Sequence, residues 1–259
     1  MADTVLVARD GSIATVTLNA PEKLNALDLG TWTRLGEVIA ELSADESLRC
    51  VVLRGAGDKA FAAGADIGEF KTVRRNSKVS KVYGERVAAT MQAVMDCRHP
   101  TVAMIRGACV GGGLEIAACC DMRICGESSR FGVPIKRLGL VMAYGELSKL
   151  VALVGRAVAL EILLEGRIFD AAEALAKGVV SRVVPDAKVE EEAYATARRI
   201  AEGAPLVARW HKKFINRLAD PRPLSEAERD EGFACYDTED FQEGVAAFLA
   251  KRDPGFKGR

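Results

Sequence analysis

Apolar positions recur at two spacings along the chain, and each spacing marks a kind of element. Val5–Arg9 and Ile13–Leu18 are short alternating or apolar runs separated by Asp10-Gly11, two residues that tolerate positive φ, so the chain is predicted to open with an antiparallel hairpin. An irregular polar segment, Asn19–Leu27, leads to Asp28, which reads as the N-cap of a helix with a stripe at Leu29, Trp32, Leu35, Val38, Ile39 and Leu42. Strands are predicted at Cys50–Arg54 and Thr101–Ile105, with a helix over 82–97 between them. Lys71–Lys81 is charged and poorly patterned, and it reads as solvated surface rather than a lid. A short strand follows at Met122–Cys125, then helices at Glu146–Val154, Ala157–Leu164 and Ala171–Ala176, and a last strand at Val179–Val184. From Lys188 the pattern is helical, broken at Gly203-Ala-Pro205 and Pro221-Arg-Pro223.

This order implies a mixed α/β core of repeated strand-strand-helix units over residues 1–193 and a helical region over 194–259. Such repeats suggest a sheet wound into layers rather than a doubly wound parallel sheet. No Gly-x-Gly-x-x-Gly follows a strand, so a dinucleotide site has no support.

Composition narrows the partner. The chain of 259 residues carries 36 basic and 36 acidic side chains without a basic block, which argues against nucleic acid and anionic membrane and for a small molecule. No apolar run is long enough to span a bilayer and no leader pattern opens the chain, so a soluble, cytoplasmic protein is expected. The seven cysteines sit mostly in apolar context, none in a zinc-site pair, and read as buried reduced thiols; no metal site is expected.

Candidate chemistry concentrates where the Thr101 strand runs into Gly111-Gly-Gly-Leu-Glu115. Glycines are costly in a helix, by about 1 kcal/mol each relative to alanine. Either they permit tight helix–strand packing, or they bare the first-turn N–H groups for an oxygen that gains negative charge. Glu115, two residues on, either favours the helix N-terminus or serves as an acid/base beside that oxygen. The Gly55–Phe70 loop, rich in glycine and alanine, exposes backbone in the same manner. His99 and His211 have no nucleophile or carboxylate in a motif and read as structural, and no Gly-x-Ser-x-Gly elbow is present.

Four blocks, in order, now point to one family: Leu18-Asn-Ala-Pro-Glu-Lys-Leu-Asn-Ala-Leu27, Ala60-Phe-Ala-Ala-Gly-Ala-Asp-Ile67, Gly107 with Gly111–Glu115, and Phe131-Gly-Val-Pro134. Over essentially its full length the sequence resembles the crotonase, or enoyl-CoA hydratase/isomerase, superfamily. The resemblance implies a spiral of ββα units, C-terminal helices that build a homotrimer or a dimer of trimers, and an acyl-CoA substrate. Coenzyme A would enter as part of that substrate, with no tightly bound cofactor. By family position, the N–H groups of Ala65 and Gly112 would hold the thioester oxygen, and Glu115 would be the acid/base. Lys23, Leu24, Ala63, Asp66 and Ile67 would line the coenzyme A side. Phe248 and Lys251 match positions that in relatives approach the coenzyme A of a neighbouring subunit, and both also suit an amphipathic terminal helix.

One departure matters. Hydratases of the family place a second glutamate directly after the Pro of the Phe-Gly-x-Pro block, and here that position is Ile135. Isoleucine neither holds water nor carries a proton. Glu146 is a candidate replacement, or else only a residue of a helix first turn; Tyr144 is a candidate hydrogen-bond donor or a wall, with Met142 beside it in the acyl pocket. The nominal reading is an enoyl-CoA hydratase. An isomerase, a decarboxylase, a thioester hydrolase and a non-catalytic acyl-CoA binding protein stand as rivals.

Overall fold

The strands divide between two sheets, and the computed structural model, which describes residues 3–259, shows how the chain winds through both. β1 (Val5–Asp10) and β2 (Ile13–Leu18) form the expected hairpin. After α1 (Leu29–Ala44), three successive pairs follow, each giving one strand to each sheet: β3 (Cys50–Gly55) with β4 (Ala60–Ala62), β5 (Thr101–Ile105) with β6 (Ala108–Val110), and β7 (Met122–Gly126) with β8 (Arg130–Gly132). The helices between them are α2 (Phe70–Val73), α3 (Ser77–Asp96) and α4 (Gly112–Cys119). Then come α5 (Tyr144–Glu165), β9 (Phe169–Asp170), α6 (Ala171–Ala176) and β10 (Arg182–Val184). The tail is α7 (Val189–Glu202), α8 (Pro205–Leu218), α9 (Glu226–Glu231) and α10 (Glu239–Ala250). The large sheet runs β1-β2-β3-β5-β7-β10, parallel after its first pair, and the small one runs β4-β6-β8-β9. This is the predicted layered ββα winding.

Alternation along the central strands builds two cores. Val51, Leu53, Ala103 and Ile105 face α1 and α3, where Trp32, Leu35, Val38, Ile39 and Met91 are buried. Cys50, Val52, Val102 and Met104 face the other way, against Val189, Ala193 and Ala197 of α7. The helix that carries Ala193 therefore lies on the sheet, and the layered part of the fold continues to Glu202. Among the described residues no helix is long and apolar enough to cross a membrane.

Several boundaries differ from expectation. α3 begins at Ser77, not 82, because the Asn76 side chain accepts from the Val79 N–H and caps it. Lys71–Lys81 is thus mostly helix, and most of its residues stay exposed, as a solvated surface requires. The two helices expected over 146–164 are halves of α5, parted at Gly155 (φ 74°, ψ 167°). β10 is shorter than expected, since Val179 closes the turn after α6 through a bond to the Ala174 carbonyl. β4 and β6, three residues each, carried no periodicity to read.

Candidate active site

The site begins with a sharp turn before α1. Leu24 and Asn25 adopt left-handed backbone, with φ of 54° and 55°. Asparagine tolerates this conformation, and here its side chain also secures it. Nδ2 of the buried Asn25 donates to the carbonyls of Ala56 (3.1 Å) and Ala60 (2.8 Å), and Oδ1 accepts from the Ala20 N–H (3.0 Å). The chain then runs beside 63–66. Ala63 donates to the Leu24 carbonyl at 3.0 Å, Leu27 donates to that of Gly64 at 2.8 Å, and Asp66 donates to that of Leu27 at 2.9 Å. In such a parallel bridge, the residue between the two bonds turns its own N–H to the other side. That residue is Ala65, whose N–H has no acceptor among the described residues.

The three glycines meet this segment, each for its own reason. Gly111 has φ of +51°, the turn into α4. A Cβ on Gly112 would meet the Trp32 ring at 3.0 Å and lie 3.6 Å from the Ala65 nitrogen, so the two amides are neighbours. A Cβ on Gly113 would fall 2.2 Å from the Ala62 carbonyl oxygen. Gly113 therefore serves packing. Gly112, first residue of α4, has no intrahelical acceptor for its N–H. Packing thus accounts for Gly113, while Gly112 leaves its N–H without an acceptor.

The free amides open on a cavity of about 260 Å³ whose lining includes Ala63, Ala65, Ile67, Gly112, Ile135 and Met142. Its two carboxylates are Glu115, from the first turn of α4, and Glu146, from the first turn of α5. Glu146 is buried, and its Oε2 accepts from the Ala143 N–H at 2.9 Å. It is thus both a helix-start residue and a cavity residue. Burial pushes the Glu115 carboxyl well above the carboxylate range, the Glu146 charge pushes it further, and Arg74 opposes both. Burial likewise raises Glu146, against the Ala143 bond and Arg74. Because the Glu146 charge acts on Glu115, the two carboxyls do not titrate as independent groups.

The remaining expected residues separate into groups. Lys23 pairs with Asp66 at 2.9 Å on the rim, where Leu24 is exposed and Ile67 keeps 58 % of its surface. Tyr144 does not join them. As the first residue of α5 it is 92 % exposed and outside the lining, so its expected place beside the acyl group is corrected. Phe248, 83 % exposed, and Lys251 lie at the end of α10, away from this cavity within the one chain. Sequence reading missed Asn25, Trp32, Phe70 and Arg74.

Residues 8–259 match the family model described as enoyl-CoA hydratase/isomerase. The chain is 37 % identical over 260 residues to a probable enoyl-CoA hydratase of Mycobacterium bovis, covering 99 % of each chain. It is 34 % identical over 261 residues to a short-chain-enoyl-CoA hydratase of Clostridium acetobutylicum, again covering 99 % of each. Among solved structures, an enoyl-CoA hydratase/carnithine racemase from Magnetospirillum magneticum superposes with a TM-score of 0.98 at 53 % identity, covering 100 % of this chain and 97 % of that one.

Proposed function

Because the chain belongs to the enoyl-CoA hydratase/isomerase family, we propose that this enzyme adds water across, or removes it from, the α,β bond of an acyl-CoA thioester. The N–H groups of Ala65 and Gly112 donate to the thioester oxygen. They bind it more tightly as it becomes an enolate, and losing one such donor typically costs about 3 kcal/mol of barrier. Hydration also needs a base that takes a proton from water as its oxygen bonds the β-carbon, and an acid that gives a proton to the α-carbon. Glu115 and Glu146 divide these tasks, and Ile135 forms an apolar wall.

The observation that carries this reading is that the cavity with the two free amides is lined by two carboxylates, both raised by burial. Raised values suit proton transfer near neutral pH, where an ordinary glutamate stays fully ionised. Ile135 removes the family's second glutamate, and Glu146, reached from another element, supports the same division of labour. Lys23, Leu24, Ala63, Asp66 and Ile67 are proposed to contact the coenzyme A portion, which enters with the substrate; the chemistry needs no further cofactor. Phe248 and Lys251 act there only from a neighbouring copy, in a homotrimer or dimer of trimers built on the C-terminal helices. The exposed Phe233, Phe248 and Leu249 support such an assembly.

Incubation with crotonyl-CoA, followed by loss of the conjugated absorbance, tests the reading. Turnover that falls at least ~100-fold in both Glu115→Gln and Glu146→Gln is the expected result. An undiminished Glu146→Gln enzyme would move the second role elsewhere. Migration of a 3-enoyl double bond without hydration would replace a hydratase by an isomerase.

A further inference from the structure

Arg74 lies at the end of α2 and lines the cavity, and among the described residues no carboxylate forms a salt bridge with it. Its guanidinium carbon stands 4.1 Å from the ring centre of Tyr83 and 4.7 Å from that of Phe70. Stacking engages the faces of the guanidinium plane and leaves its in-plane N–H groups free. Nε is buried without a hydrogen-bond partner, as are the Tyr83 hydroxyl and the Trp32 indole N–H. Of these groups only the Tyr83 hydroxyl oxygen can also accept, and the edge of a half-buried guanidinium that no carboxylate meets in a salt bridge is open to an acceptor brought by a ligand.

The nearby glutamates do not fill that place. Glu69 spends an oxygen on the Leu29 N–H at 2.9 Å, Glu146 spends one on the Ala143 N–H, and Glu115 and Glu146 feel Arg74 only as a charge at a distance. Beyond the two glutamates the lining holds the apolar Ile135, Leu138, Val141 and Met142 and a second cation, Arg137, but no further carboxylate. We propose that Arg74 is a specificity-determining residue that binds a carboxylate at the far end of the acyl group, so that the preferred substrates are short dicarboxylic acyl-CoA thioesters. Two parallel N–H···O bonds from the guanidinium edge fit a carboxylate, and the chain has to be short for that carboxylate to meet Arg74 inside the cavity that Glu115 also lines. The inference rests on the reading that this cavity takes an acyl-CoA.

Calorimetric titration of the whole protein with valeryl-CoA and glutaryl-CoA tests it. The two ligands have equal chain length and differ in a terminal methyl or carboxylate. Glutaryl-CoA is expected to bind at least ~10-fold more tightly, since charge-assisted pairs are the stronger hydrogen bonds. Arg74→Met is expected to bring the two affinities together, and Arg74→Lys, which keeps the cation, to retain part of the ratio. Equal affinities in the wild type, or an unchanged ratio in Arg74→Met, would overturn the proposal. The ratio is read within each protein, so partial misfolding of a variant does not mimic the result. It is also independent of turnover: a protein that hydrates no enoyl-CoA but keeps the tenfold ratio refutes the hydratase reading and leaves the Arg74 site standing.

Discussion

Replacing Gly113 by alanine sets two opposing effects against each other. Alanine in a helix is favoured over glycine by about 1 kcal/mol. At Gly113, however, the new Cβ would lie 2.2 Å from the Ala62 carbonyl oxygen and 3.0 Å from the Ala62 Cβ, where ordinary contact begins near 3.4 Å. Both obstacles are backbone or bonded directly to it, so no side-chain rotation relieves them. α4 and β4 have to part by roughly 1 Å, and overpacking of this kind costs about 1–3 kcal/mol. We expect a net loss of about 1 kcal/mol in urea denaturation at most sites of this type, with a lower midpoint and an unchanged slope. The catalytic effect is larger. β4 leads directly to Ala65 and α4 begins at Gly112, so the same separation pulls the two amides apart, and misplacement by about 1 Å can reduce kcat ~100-fold. Gly84→Ala is the control, because a Cβ at that position of α3 meets nothing within 4 Å. It should gain about 0.5–1 kcal/mol and keep its activity. A Gly113→Ala protein with wild-type kcat on crotonyl-CoA and a wild-type midpoint would refute the steric account of the glycine run.

Other outcomes follow from the same geometry. Burial raises the Glu115 carboxyl above its unfolded value, so the native state binds that proton more tightly than the unfolded chain. The penalty is absent below the ordinary carboxylate range and grows as pH rises through the raised value. Glu115→Gln should therefore be more stable than wild type at alkaline pH and gain little at pH 4, as thermal melts across pH would report; a gain of equal size at both would contradict this. Asn25→Ala removes three hydrogen bonds and the residue that tolerates the left-handed turn. It should lose about 2–4 kcal/mol in denaturation together with activity. Lys212→Met leaves Asp121, its partner at 2.9 Å, without its buried cation. A loss of about 1 kcal/mol is expected from differential scanning calorimetry, since the remaining carboxylate stays open to water, and no change would show that α8 docks without this pair.

Much of the fold was readable because local chemistry and tertiary contact agree. Asp10-Gly11 marks a hairpin that forms, and Asp28 caps α1 by accepting from the Thr31 N–H at 2.7 Å. The α1 stripe is buried as its spacing requires. β4 and β6 escaped because three residues hold no period; they exist only through pairing with the neighbouring winding. In the site, the glycine run and Glu115 left traces in the sequence pattern, whereas Ala65 and Gly112 were singled out only by family position. Arg74 was not, since a lone arginine in a charged stretch looks the same whether it meets solvent or two aromatic rings. Glu146 and Tyr144, two residues apart at the start of α5, could be told apart only once the helix's rotation about its axis was known.

Glu146 is held by the Ala143 N–H, and this joins the start of a helix to the wall of the cavity. The carboxylate that closes the first turn of α5 also faces the cavity, so fraying of that turn disarms the pocket while both sheets are still intact. Heat or acid should then silence the protein in a step that spectroscopic probes of the strands do not register.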